Sequence, residues 1–127
     1  MKKTNKELLG FLNVANIYLQ SNKNKKSAIY ITRQIKKVNE ALEEYNDAVE
    51  DARIENCSVD EKGNIQKDSD GGYVFSREGL KKITEIGREI LKKEVDVDIV
   101  LNEKGIEDME EDYKRYFLEF IGSATEI

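Results

Sequence analysis

A run of apolar residues at heptad spacing constrains the fold of this chain more than any other feature. The residues step alternately by three and four positions: Ala28, Ile31, Ile35, Val38, Leu42, Tyr45, Val49 and Ala52. This spacing predicts one continuous helix over residues 27–55, about 45 Å long. Such a narrow apolar stripe is stable only when another helix covers it. We predict that the chain self-associates into a homo-oligomer, or packs on an internal helix, through six of these residues: Ile31, Ile35, Val38, Leu42, Tyr45 and Val49.

Three further helices are predicted from capping signals and helical periodicity. Thr4 and Glu7 have the spacing of a capping box, and they open a helix over residues 6–20. Ser76 is an N-cap for a helix over residues 77–93. The last helix, over residues 106–121, carries apolar and aromatic residues that we expect to be packing residues: Ile106, Met109, Tyr113, Phe117 and Phe120.

Two short segments have β-type patterns. Residues 64–75 surround the turn sequence DSDGG and predict a small hairpin. Over residues 95–101 apolar residues alternate with Asp96 and Asp98, which predicts a strand with one buried face. We therefore expect a single domain, residues 1–127, that is mainly α with a small β element. In it, the long helix packs antiparallel in a helical bundle, and the bundle self-associates.

The residues that are missing exclude several classes of function. The 127-residue chain contains no histidine, so it has no Ser-His-Asp or Cys-His nucleophile and no histidine-bearing zinc site. Its single cysteine, Cys57, excludes internal disulfides and CxxC chemistry and favours a reducing compartment. We predict a protein without enzymatic activity, metal or cofactor.

The distribution of apolar residues also predicts where the protein acts. The N-terminal apolar run is interrupted at Gly10 and Asn13, which argues against a signal peptide. No uninterrupted apolar run approaches the ~18 residues that predict a membrane span. We therefore expect a cytoplasmic protein that does not bind membranes.

Two acidic clusters offer weak candidates for metal binding. Asp68 and Asp70 suggest a calcium loop, but an EF-hand that begins at Asp68 needs a glutamate where this chain has Gly79. A polar turn is therefore the better interpretation. Asp96 and Asp98 are better explained as the exposed face of the strand, where charge discourages edge association.

The charge of the chain is divided unevenly along its length. Residues 1–37 hold nine basic residues against one acidic residue, a net charge of +8, while the remaining residues carry −13. Lysines at a helix start are electrostatically unfavourable unless an anion lies there. The sequence thus predicts a site for an anion or nucleotide at the start of the long helix: Lys25, Lys26, Ser27, Tyr30, Arg33 and Lys37.

The alternative interpretation of these residues is a solvated basic loop that the acidic remainder neutralises. General nucleic-acid binding is disfavoured, because the net charge of the chain is −5 and no reading motif is present.

Several segments together resemble a family of small uncharacterised bacteriophage proteins. The similarity is carried by the Lys-rich start of a long charged helix, by the DEKGN turn at residues 60–64 and by the EVDVD strand at residues 94–98, and it covers about residues 5–121. The chain departs from the group over residues 54–58, where a more charged helix end is expected. The resemblance implies a phage source, and hence action in the host cell cytoplasm.

Two classes of function follow from these features. The first is a non-enzymatic phage accessory protein in counter-defence, which blocks a host defence protein or sequesters an anionic, nucleotide-like signal. The second is a virion assembly factor or chaperone that binds a phage structural protein.

Overall fold

The computed structural model describes residues 1–101 and 103–125, and in these it is mainly helical with a two-stranded antiparallel sheet, as predicted. The elements in chain order are β1 (Lys2–Thr4), α1 (Asn5–Asn22), α2 (Lys26–Ala41), α3 (Glu43–Asn56), α4 (Arg77–Lys92), β2 (Glu94–Asp96), a 3-10 turn (Glu103–Ile106) and α5 (Glu111–Thr125). None of the helices in this part of the chain is long and apolar enough to cross a membrane.

The prediction of one continuous helix over residues 27–55 is wrong. The span is divided into α2 and α3 by Leu42, whose backbone angles of φ −89° and ψ 0° are not helical. Glu43 and Glu44 lie in the first turn of α3, where the positive end of the helix dipole favours carboxylates. The heptad spacing hides this division, because it continues through Leu42 without proline or glycine. A binding role that requires one continuous helix over residues 27–55 is therefore not supported.

The chain forms two compact units. Unit 1 comprises Met1–Leu42 and Glu94–Ile127, and unit 2 comprises Glu43–Lys93. The expectation of a single domain stays a prediction, and each unit is described by itself.

Unit 1 is built around an aromatic core between α1 and α5. Phe11 and Phe117 are both fully buried, and their rings meet edge to face with centroids 5.6 Å apart. Tyr18 makes a similar contact with Tyr113 at 5.0 Å. The aromatic residues of the last helix are therefore packing residues, as the sequence predicts. From α2, Ile31 contributes a further fully buried side chain.

The predicted strand over residues 95–101 is paired only at its start. Glu94–Asp96 pairs antiparallel with Lys2–Thr4, a strand that the sequence did not predict. Beyond Asp96 the alternation of buried and exposed residues continues without strand pairing, and Val97, Ile99 and Leu101 are buried. Because the short β1 leaves Val100 without a strand partner, its N–H instead donates to Gln34 Oε1 at 3.0 Å.

Unit 2 is an antiparallel helical hairpin with two tight turns between its helices. Lys93 Nζ, just after α4, lies 3.8 Å from a carboxylate oxygen of Glu44 at the start of α3. At the opposite end, Asn56 adjoins Gly79 in the first turn of α4. This confirms the predicted antiparallel packing for the α3 half of the span. Ser76 caps α4 by accepting a hydrogen bond from the Gly79 N–H at 3.1 Å.

Candidate functional site

The start of α2, where the sequence predicts an anion site, already holds a carboxylate of the chain itself. The N-cap residue Lys25 makes no capping bond through its side chain. Asp108 takes that place, since its Oδ2 accepts a hydrogen bond from the Ser27 N–H at 3.4 Å. The Lys25 ammonium also donates to the Asp108 carbonyl at 3.0 Å. The basic first third and the acidic remainder of the chain thus meet inside unit 1.

The ionisation of Asp108 reflects this position. The Ser27 hydroxyl, the backbone N–H groups of Ser27 and Lys26, and the charge of Lys25 lower the pKa of the Asp108 carboxyl. Ser27 is fully buried and shares a short hydrogen bond with the Tyr18 hydroxyl. Burial raises the pKa of Tyr18, so both hydroxyls stay neutral near pH 7. Ser27 is therefore a structural residue and does not face an external ligand.

One turn further along α2 lies an open groove between this helix and the end of α1. It has a volume of about 430 Å³, and its lining combines a mostly apolar floor with two cationic side chains: Leu19, Lys23, Ala28, Ile29, Thr32 and Arg33. Within the described part of the chain, neither Lys23 nor Arg33 forms an ion pair. The groove therefore offers apolar surface together with uncompensated positive charge.

The surface beside the groove is unusually apolar for exposed helix. Ile29 is 57% exposed and Tyr30 is 36% exposed. The guanidinium of Arg33 lies over the Tyr30 ring, 5.6 Å from its centroid. An aliphatic residue, a tyrosine and an arginine thus face solvent within two turns of one helix. Tyrosine and arginine are the residue types that most often dominate the energetics of protein interfaces.

The structure brings together only part of the predicted anion set. Arg33 lines the groove, Tyr30 lies beside it, and Lys26 is exposed at the first position of α2. Lys37 lies at a separate pocket of about 340 Å³, beside Asp96 and Asp98. The six residues therefore do not lie around one position, because Ser27 is buried and Lys37 lies beside Asp96 and Asp98.

The predicted partner seam is also divided. Ile31, Val38 and Leu42 are buried inside the protein and offer no surface to a second copy. The remaining three residues of the seam are partly buried: Ile35, Tyr45 and Val49.

The sequence interpretation missed several residues that form the site. Ile29 was outside the heptad seam, and this off-register apolar residue beside the seam was the available signal. Leu19 lies within the helix predicted over residues 6–20, and nothing in the pattern of that helix indicates a groove. No sequence signal links Asp108 to Ser27, which lies 81 positions away.

Comparisons with protein-family models, with curated proteins and with solved structures found no match for this chain. Over residues 1–101 and 103–125, no three cysteine or acidic side chains are placed to hold a metal ion. The function is therefore argued from the groove.

Proposed function

We propose that this is a non-enzymatic accessory protein of phage type that blocks a host protein, and that the groove between α1 and α2 is its binding surface. The observation that supports this function is the apolar groove, whose lining includes Lys23, Arg33 and the exposed Ile29, with Tyr30 exposed beside it. Exposed apolar surface rimmed by polar residues is typical of protein interaction sites.

The chemistry of the groove favours an acidic, amphipathic segment of the partner. Apolar side chains of such a segment would cover the floor, as when a helix lies in a hydrophobic groove. Its carboxylates would pair with Lys23 and Arg33, which lack acidic partners in the described residues. Charge of opposite sign at a rim mainly speeds association and excludes wrong partners.

A nucleotide is the weaker occupant for this surface. Phosphate groups bind well to free N–H groups at a helix start, but those of α2 face Asp108. The mostly apolar floor of the groove also offers few hydrogen bonds to a sugar or phosphate.

The test uses two synthetic helical peptides with the same leucine stripe, one flanked by glutamates and the other by lysines. We expect the acidic peptide to bind and to shift the NMR signals of Leu19, Ile29 and Thr32. The double variant Lys23→Glu with Arg33→Glu should reverse the preference between the peptides. Lys6→Glu changes an exposed charge at the start of α1, about 20 Å along the helix from Leu19, and it should leave binding within about twofold, as expected for a screened surface charge.

Thermal unfolding with a panel of linear and cyclic nucleotides tests the nucleotide hypothesis separately from the protein-partner hypothesis. A ligand present at 100 times its dissociation constant adds about 2.7 kcal/mol of stability. Two results together would favour a nucleotide over a protein as the ligand of the groove. The nucleotide would have to raise the melting temperature of the wild type but not of Arg33→Glu, and the acidic peptide would have to show no binding. Co-purification from infected cells then distinguishes a host defence protein from a virion protein, the partner expected of an assembly factor.

A further inference from the structure

Unit 2 does not bury enough side chains to form a core of its own. Of residues Glu43–Lys93, all of which the structure describes, only Ala52 and Gly79 are buried. Other apolar residues of the two helices are only partly buried, including Val49 and Ile83. Two helices side by side leave the open side of their contact in water, and a helical bundle covers it with further helices.

The apolar arc of α4 extends beyond its contact with α3. Gly79 marks the contact, because a Cβ atom on it would lie 2.5 Å from the Asn56 carbonyl oxygen. Leu80, Gly87 and Leu91 lie roughly 80–120° further round the helix, at 100° per residue. Leu80 is 53% exposed. A Cβ atom on Gly87 would meet no described atom outside its own stretch of helix within 4 Å. These three residues, the α4 outer seam, thus form a second apolar edge to one side of the contact with α3.

The charges of the two helices indicate what covers this edge. Helix α3 holds six acidic residues against one basic residue, a net charge of −5, whereas α4 holds five basic against three acidic, a net charge of +2. The basic residues nearest to the α4 outer seam are Arg77, Lys81 and Arg88. Their helical positions place them next to the seam, on the side of the seam that is further from α3. This edge therefore fits an acidic helix with a narrow apolar stripe. In this chain, α3 is acidic, and its apolar residues Tyr45 and Val49 are only partly buried.

We propose that two copies of this protein associate through unit 2 into a four-helix bundle, in which the α4 outer seam of each copy packs on α3 of the other. Each acidic α3 then lies between two basic α4 helices, so that the charge alternates around the bundle. The contact uses the same patch on both copies, as a two-fold symmetric dimer requires. This inference concerns a different surface from the groove of unit 1 and does not depend on the proposed function.

Light scattering and sedimentation equilibrium of the whole chain test the dimer. The wild-type protein should be a dimer, and Leu80→Glu should weaken dimerisation a hundredfold or more, because the two-fold axis repeats the change. Leu80 is already exposed in one copy, so the variant should keep its helical circular dichroism. The matched control is Ile54→Glu, at a residue that is 46% exposed on the side of α3 opposite Ala52, and it should leave the dimer intact.

Charge reversal gives a second measurement on the same surface. Arg88→Glu, beside the α4 outer seam, should weaken the dimer at least tenfold at low salt, because it places acidic charge against acidic α3. Lys82→Glu makes the same change on another side of α4 and should alter the dimer constant less than threefold. A monomeric wild-type protein would overturn the proposal. So would a dimer that survives Leu80→Glu, or one that Ile54→Glu disrupts equally.

Discussion

Unit 1 buries large side chains completely, whereas unit 2 buries only an alanine and a glycine. In unit 1 the rings of Phe11, Tyr18 and Phe117 are inaccessible to solvent. In unit 2 the largest apolar residues of α4 remain at least partly accessible. The first arrangement gains stability from apolar burial and close packing. The stability of unit 2 depends on local hydrogen bonds and on any partner that covers the open side of its helix pair.

Local hydrogen bonds are well developed in unit 2. Asp60 Oδ1 accepts from the backbone N–H groups of Lys62 and Asn64 at 2.8 and 2.9 Å. Asp68 repeats the arrangement in the next turn, toward Asp70 and Gly72, both at 2.9 Å. Each turn also has a glycine at positive φ, Gly63 at 84° and Gly71 at 82°. These bonds set the shape of the chain locally, but they remove little apolar surface from water.

The largest expected difference between the units is the cost of a cavity. Phe117→Ala should lower the free energy of unfolding by about 3–5 kcal/mol, as for other buried aromatic residues. Ile83→Ala, at a partly buried position of α4, should cost less than about 2 kcal/mol in the monomeric Leu80→Glu background, because solvent already reaches the site. Urea unfolding followed by circular dichroism measures both changes. Equal costs would mean that unit 2 is packed as tightly as unit 1.

Glycine substitutions sharpen the comparison at a smaller scale. Gly79→Ala places a methyl group against the Asn56 carbonyl, 2.5 Å away, and should cost about 1–3 kcal/mol by separating the two helices. Gly10→Ala, in α1, meets no described atom within 4 Å beyond its own helical turn and should stabilise the protein by about 0.5–1 kcal/mol.

Both substitutions replace a helical glycine by alanine, so thermal unfolding of both shows the cost of the close contact at Gly79. Stabilisation by Gly79→Ala would show that the α3–α4 contact adapts at little cost.

The elements that the sequence predicted well are those with local signals. Thr4 and Glu7 form the expected capping box, with the Thr4 N–H donating to Glu7 Oε1 at 3.0 Å. Ser76 begins α4 as expected. The turns around Asp60 and Asp68 are also present, and the bridge between Lys67 and Tyr73 closes the second of them as a small hairpin.

The features that the sequence did not predict depend on residues far apart in the chain. Strand β1 exists because Lys2–Thr4 meets Glu94–Asp96, and three residues carry no periodicity of their own. The division at Leu42 separates helix halves whose apolar faces pack on different elements, while the heptad spacing runs through both. Periodicity records which positions are buried, but it does not record which partner buries them.

The candidate site shows the same division between local and distant information. Excess positive charge near the start of α2 was visible in the sequence, and so was its need for an anion. That Asp108 supplies the anion was not visible, because the contact joins residues 81 positions apart. As a result, the cations that line the groove are Lys23 and Arg33, whereas Ser27 is buried and cannot contact a partner.

The smallest expected effect concerns this contact and appears only as a dependence on pH. The pKa of Asp108 is lowered in the folded protein, so its contribution to stability is complete above the ordinary carboxyl pKa of 3.8 and is lost as the pH falls through the folded value. Asp108→Asn should lower stability by about 0.5–1 kcal/mol at pH 7, the usual scale for an exposed capping group.

Thermal unfolding of the wild type and of Asp108→Asn over a range of pH checks this prediction. The melting curves should differ at neutral pH and converge only as the pH falls through the lowered pKa of folded Asp108, below 3.8, where both side chains become uncharged. Glu107→Gln, an adjacent exposed residue, serves as the control for general loss of negative charge and should show a smaller difference. A constant difference at every pH would assign the effect of Asp108 to geometry. The charge of Asp108 would then contribute nothing to the stability of unit 1.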